Sequence, residues 1–158
     1  MGKIGSALGA ILLMLSVVMV GVGAVQAAPI RAHLIVDAAS GEVLSAQNPD
    51  ATVYPASLTK MMTLYLLFES LHSGQLQLND WLDVSQNAAM AKPTKLGLKA
   101  GSRITVKDAM LGLMTKSAND ASVVIAEHLA GDVDSFARRM SFKAKKLGMN
   151  HTIYKNAN

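Results

Sequence analysis

Ser57 and Lys60 stand three residues apart in "VYPASLTKMMTLYLLFES", residues 53–70, just after Pro55. On a helix, positions i and i+3 share one face a turn apart, so this hydroxyl and this amine can meet. Serine is a poor nucleophile until a base takes its proton, and lysine is a poor base until it is neutral. Two features of the stretch favour the neutral amine. The helix is apolar, so burial penalises the ammonium form. The pair also falls in the first turn, where the positive end of the helix dipole disfavours a cation. Proline suits that first turn. The Ser57 N–H has no partner within the helix there and can donate to an oxyanion. The chemistry this implies is acyl transfer through a serine ester. An isolated S-x-x-K is weak evidence by itself, because a chain of this length holds about one by chance. The bland alternative is a capping serine and a solvated lysine.

A second constellation is "KSAND", in which Ser117 and Asn119 flank Ala118. It falls at the join between two expected helices. In isolation it reads equally well as an N-cap, with Asp120 adding charge in the first turn. In the functional reading Ser117 relays a proton, while the Asn119 amide holds a substrate carbonyl and the lysine. His33, His72, His128 and His151 are too dispersed for a Ser-His-Asp triad or a metal site. The chain has no cysteine, which excludes a disulfide scaffold, a thiolate zinc site and a cysteine nucleophile. That fits an oxidising compartment. The net charge is +4, and the cluster Arg138, Arg139, Lys143, Lys145, Lys146 reads as a solvated helix face. Aromatic residues are too few for a base-stacking surface, so no nucleic-acid partner is expected.

These residues need elements to position them. Ile4 to Ile30 is an uncharged run behind Lys3, ending in "VQAAPI". Val25 and Ala27 suit signal peptidase, so residues 1–27 are expected to be a signal peptide cut before Ala28. The run is long enough to be a transmembrane anchor instead. Either way the remainder is expected to be exported, to the periplasm or the outer face of the cytoplasmic membrane. "AHLIVDAASGEVLSAQNPD" predicts a β-hairpin turning at residues 38–41. A helix is expected from about Pro55 to Leu71. Its apolar residues cover most of the circumference, which predicts burial in the middle of the domain. Met61, Met62, Met110, Met114 and Met140 fall at expected core positions. Residues 92–102 read as loop, and Thr105 as the N-cap of a short helix. Trp81 is expected at a partly buried surface position. Two further helices follow, the first stopped by Gly131, and "HTIY" is a possible strand start. The order of elements predicts an α+β fold, with helices on an antiparallel sheet.

"PASLTKMMTLYLLFE", followed some sixty residues later by "LMTKSANDAS", resembles the low-molecular-mass penicillin-binding proteins, the serine D-Ala-D-Ala carboxypeptidases. These share the S-x-x-K mechanism with class A β-lactamases. "LIVDAASGEVLSAQN", "KLGLKAGSRITVKDAMLGLM" and "TIYKNAN" resemble the family's connecting segments, so the likeness covers nearly all of residues 31–158. The resemblance implies the N-terminal portion of the transpeptidase/β-lactamase-like fold, with a hairpin, a central buried helix, a helical subdomain and an incomplete sheet. It implies Ser57 as the acylated nucleophile, Lys60 as its general base, Ser117 as proton shuttle and Asn119 as substrate-binding amide. The implied substrate is a peptidoglycan pentapeptide, with β-lactam antibiotics as covalent inhibitors and no metal or organic cofactor. Membrane association in the full-length protein is a further implication.

The family's third motif, K-T-G, does not occur in the chain. Residues 28–158 are therefore expected to be the N-terminal part of the catalytic domain, truncated before that motif and inactive alone. A D,D-endopeptidase of the same family fits nearly as well. A β-lactamase fits less well, because class A enzymes usually have aspartate where Ala118 stands. A non-catalytic truncated envelope protein is the alternative from another class.

Overall fold

The computed structural model describes residues 31–158. The expected signal peptide, and the alternative anchor, lie outside the described residues. Among the described residues there are two two-stranded antiparallel sheets and five α-helices, an α+β architecture.

The first compact unit, ending at Val53, holds the expected hairpin. Strand β1 (His33–Val36) pairs with β2 (Val43–Gln47), His33 opposite Gln47, with a bulge between Ile35 and Val36. Asp37 makes the turn: its Oδ1 accepts from the N–H groups of Ala39 and Ser40 and from the Ser40 hydroxyl. These bonds hold the Asp37 carboxyl below the usual carboxylate range. Gly41 closes the turn at φ +74°, a conformation glycine adopts without steric cost.

The second unit, Tyr54–Asn158, holds the candidate site. Its elements are α1 (Thr59–His72), β3 (Trp81–Asp83), α2 (Gln86–Ala89), β4 (Arg103–Thr105), α3 (Val106–Lys116), α4 (Asn119–Ala130) and α5 (Val133–Lys146). Strands β3 and β4 pair with Leu82 opposite Ile104. Leu82 and Ile104 point into the core, while Arg103 lies over the exposed Trp81 ring at 5.4 Å. This second strand pair was not expected from the sequence: three-residue strands are too short to show a period. Thr105 caps α3 as predicted, accepting from Asp108 N–H at 3.1 Å and donating to the Asp108 carboxylate at 2.7 Å. Asp132 caps α5, its carboxylate accepting from the Ser135 N–H and from the Ser135 hydroxyl, both at 2.6 Å.

The central position belongs to α4 rather than to α1. Asp120 to Ala126 are all buried, and α4 divides two apolar clusters. One holds Leu67, Leu82, Val106, Leu113 and Val124; the other holds Met62, Leu66, Phe136, Met140 and Ala157. Helix α5 buries Phe136, Ala137, Met140 and Ala144, one helical stripe, and Phe136 alone contributes about 2–3 kcal/mol of burial. Helix α1 buries one face only. Met62, Leu66 and Leu67 turn inward, and Met61, Tyr65 and Phe68 are exposed, as is Leu58 just before the helix. Met114 is exposed as well, so two of the five methionines expected in the core lie outside it. An all-round apolar helix does not reveal which of its faces finds a neighbour. Lys143 of α5 pairs with Glu69 of α1 at 2.6 Å, taking one member of the basic cluster out of the solvated face.

The segment after α5 is not a strand. It runs as irregular chain into the core, where Ala157 is fully buried. Side chains hold it there in place of a β-ladder. Tyr154 N–H donates to Ser141 Oγ at 2.9 Å, and the Ala157 carbonyl accepts from two buried hydroxyls described below.

Candidate active site

Ser57 sits in a 3₁₀ turn, Ala56–Leu58, that precedes α1. The turn is shorter than the expected helix start because Ala56 adopts φ +48°, which breaks helical continuity directly before the serine. A left-handed alanine costs about 1–2 kcal/mol, so surrounding structure must hold it there. Ser57 is exposed. Among the described residues, neither its N–H nor its hydroxyl has a hydrogen-bond partner. The Ser57 hydroxyl and its adjoining N–H are thus open to a ligand.

Lys60 falls in the first turn of α1 and is 6% exposed. No carboxylate pairs with it among the described residues. Burial alone pushes its pKa below the ordinary lysine value. No fully sealed side-chain nitrogen lacks a partner among the described residues. Lys60 keeps only a small exposed surface, at the start of α1.

Ser117 ends α3 in the left-handed conformation, φ 55° and ψ 40°. It does not cap α4: the residue at that cap is Ala118, which makes no side-chain bond. The capping explanation for "KSAND" therefore fails, and the Ser117 hydroxyl has no partner among the described residues. Asn119 begins α4. Its backbone N–H donates to Thr94 O at 2.8 Å, and its side-chain Nδ2 donates to Lys92 O at 2.9 Å and Pro93 O at 3.3 Å. Its Oδ1 is the end left for another partner. Thr94 Oγ1 returns a bond to Ser117 O at 3.2 Å.

The two helix starts are joined through one atom. Thr63 Oγ1 of α1 donates to Ala157 O at 2.7 Å, and Ser122 Oγ of α4 donates to the same oxygen. Thr63 lies one turn after Lys60 on its face of α1, and Ser122 one turn after Asn119 on its face of α4. Lys60 and Asn119 are each set within one helical turn of that shared carbonyl. No hydrogen bond connects Ser57, Lys60, Ser117 and Asn119 directly among the described residues. Lys116, adjacent to Ser117, is exposed.

Sequence reasoning missed the polar residues that build this frame. Thr63, Ser122 and Ala157 gave no local signal, because their partners lie 94 and 35 residues away. Asp120 was read only as a first-turn charge. It is fully buried, and its carboxylate accepts from the backbone N–H groups of Leu96, Gly97, Leu98 and Ala121. Burial pushes its pKa up, but the four N–H donors outweigh burial and hold it below the usual carboxylate value. The available signal was Gly97: a loop glycine at φ +87° lets successive N–H groups converge on one anion.

Lys60 is thus buried one turn after the exposed Ser57, without a counter-ion among the described residues, and Ser117 and Asn119 flank Ala118 where α3 passes into α4. The sequence profile of the D-alanyl-D-alanine carboxypeptidase family matches residues 22–158, and the chain belongs to that family. Among its relatives is the D-alanyl-D-alanine carboxypeptidase DacF of Bacillus subtilis (strain 168). The two are 35% identical over 126 residues, which is 80% of this chain and 32% of the relative. The chain thus spans about a third of the length of the curated relatives it matches. The fold is similar to the crystal structure of the D-alanyl-D-alanine carboxypeptidase DacD from Francisella tularensis. There the TM-score is 0.77 at 33% identity, covering 83% of this chain and 33% of that one. It is also similar to penicillin-binding protein D2 from Listeria monocytogenes in its ampicillin-bound form. That match has a TM-score of 0.65 at 32% identity, over 80% of this chain and 50% of that one. These neighbours place the α+β elements in the penicillin-binding, β-lactamase-like fold.

Proposed function

We propose that this chain carries the acylation half of a serine D-Ala-D-Ala carboxypeptidase site, with Ser57 as nucleophile. The observation that carries the reading is Lys60: a lysine buried at a helix start, without a counter-ion among the described residues and one turn from an exposed hydroxyl. Neutral Lys60 takes the Ser57 Oγ proton as Oγ attacks the carbonyl of the penultimate D-alanine of a peptidoglycan stem peptide. The oxyanion receives the free Ser57 N–H. Collapse expels the terminal D-alanine amine, which takes its proton through the Ser117 hydroxyl, while Asn119 Oδ1 accepts from the substrate amide. Water then hydrolyses the ester. A β-lactam follows the same attack, but its opened ring stays attached to the acyl group. Binding of ampicillin by the Listeria neighbour supports that part of the reading. The leader expected at residues 1–27 would put the site outside the cytoplasm, where this substrate lies, with membrane association in the full-length protein.

The test is release of D-alanine from a stem pentapeptide. A polypeptide that continues this chain through a K-T-G strand should release it at a rate within the ordinary enzymic range of about 1–1000 per second. Residues 28–158 alone should not. Ordinary turnover by residues 28–158 would contradict the need for the third motif. No release by either form, with cleavage of cross-linked peptide instead, would replace the carboxypeptidase by a D,D-endopeptidase.

A further inference from the structure

We propose that Asp120 is a positioning residue: its buried carboxylate clamps the residue 92–98 loop onto the turn between α3 and α4, and the loop in turn fixes Ser117 and Asn119. The inference rests on the site assignment above for its functional meaning, and on geometry for its content.

The clamp has two ends. At one, Asp120 Oδ1 accepts from Leu96 N–H at 2.9 Å, and Oδ2 from Gly97 N–H at 2.8 Å and Leu98 N–H at 3.1 Å. Three successive backbone donors converge on one carboxylate that has no solvent exposure. No basic side chain pairs with it among the described residues, so the backbone supplies the whole of its stabilisation. At the other end, Asn119 N–H and Nδ2 hold the carbonyls of Thr94 and Lys92, and Thr94 Oγ1 holds Ser117 O. The loop is therefore laced to the same four-residue turn on both sides. Leu96 also packs on α3 so closely that a Cβ added at Gly112 would lie 2.6 Å from its Cδ1.

The consequence follows from Ser117. Its left-handed backbone is unfavourable for a residue with a side chain, so it needs external support. The bond from Thr94 supplies that support, and Asp120 holds the strand of chain from which Thr94 projects. Without the carboxylate the loop loses three donors' worth of anchorage. Ser117 then relaxes out of the left-handed region and turns its hydroxyl away from the position where it can relay a proton. Asparagine would not replace the aspartate, because its NH₂ would face backbone N–H groups that need an acceptor.

The test is NMR of the chain itself, reading the Ser117 Cα and Cβ shifts, the Asn119 side-chain amide, and amide exchange at residues 96–98. In Asp120→Ala, protection at Leu96, Gly97 and Leu98 should fall about 100-fold and the Ser117 shifts should leave left-handed values. Thr94→Val should move the Ser117 shifts at an unchanged melting temperature, and Thr94→Ser should restore them. Should Asp120→Ala not fold, Gly97→Ala decides the matter. Its Cβ meets nothing within 4 Å, so it strains only the loop backbone at φ +87°, and it should shift Ser117 and Asn119 together. Loss of protection at 96–98 with Ser117 and Asn119 unmoved, in either variant, overturns the proposal. In a form that is acylated by benzylpenicillin, Thr94→Val should acylate about tenfold more slowly and Thr94→Ser should not. Absence of any adduct in the unaltered protein would count against the site assignment, while the NMR result still decides the role of Asp120.

Discussion

Replacing Lys60 by methionine will slow acylation by a factor of at least about 1000 and, at neutral pH, make the fold more stable by about 1–2 kcal/mol. The two effects have one cause. Lys60 is 6% exposed, lies in the first turn of α1 and has no carboxylate partner among the described residues. A cation there is desolvated and meets the positive end of the helix dipole. Methionine keeps the length and the apolar contacts and removes the charge. It also removes the proposed base one turn from Ser57. A residue kept for structure would lose stability on this substitution; one kept for chemistry gains it. The pH dependence has a defined sign. The folded-state pKa of Lys60 is lowered from 10.5 by burial, so the folded protein gives up this proton more readily than the unfolded chain. Below the lowered value both states are charged and the full penalty is present. Stability then rises with pH between the lowered value and 10.5, and above 10.5 the penalty is gone. That rise should vanish in Lys60→Met. Urea unfolding of both proteins from pH 7 to 11 measures it, and a Lys60→Met protein that is less stable at pH 7 would refute the account of a penalised base.

The second large effect concerns the Ala157 carbonyl that joins α1 to α4. Thr63→Val and Ser122→Ala should each cost about 1 kcal/mol, and the double variant about 3 kcal/mol or more. Either hydroxyl alone still satisfies the Ala157 carbonyl, which lies in the core with no exposure. Removing both leaves that oxygen buried without a donor, which costs more than the sum of two lost bonds. The double variant should also lower the acylation rate more than the product of the two single effects, because the same atom joins the helix starts that bear Lys60 and Asn119. Denaturant midpoints for the four members of the cycle give the coupling. Strict additivity would mean that Ala157 O finds another donor and that this carbonyl does not set the site.

Much of the site was legible because its signal is local. Ser57 and Lys60 are one turn apart, and Ser117 and Asn119 flank one residue, so spacing alone placed each pair on one short piece of chain. The β1–β2 turn, the Thr105 cap and the stop at Gly131 were legible for the same reason: each is a bargain between neighbours in sequence. What stayed hidden depends on distant partners. Helix α1 is apolar all round, and nothing in it says that Met62 and Leu66 turn inward while Met61 and Phe68 do not. The residues at 151–154 have strand-like types but find Ser141 and the core instead of a β-partner. Asp120 looked like any acidic residue in a first helical turn. Its role became visible only with the loop 22 to 24 residues upstream folded onto it.

In the proposed mechanism Ser57 is the acylated residue and Lys60 the base that activates it. The most direct test is peptide mapping by mass spectrometry after exposure to benzylpenicillin, on a polypeptide that continues this chain through a K-T-G strand, with Ser57→Ala and Lys60→Met beside it. One penicilloyl group is expected, on the peptide containing Ser57, absent from Ser57→Ala and formed at least about 1000-fold more slowly in Lys60→Met. A penicilloyl group on any other residue, or one that persists in Ser57→Ala, would contradict it.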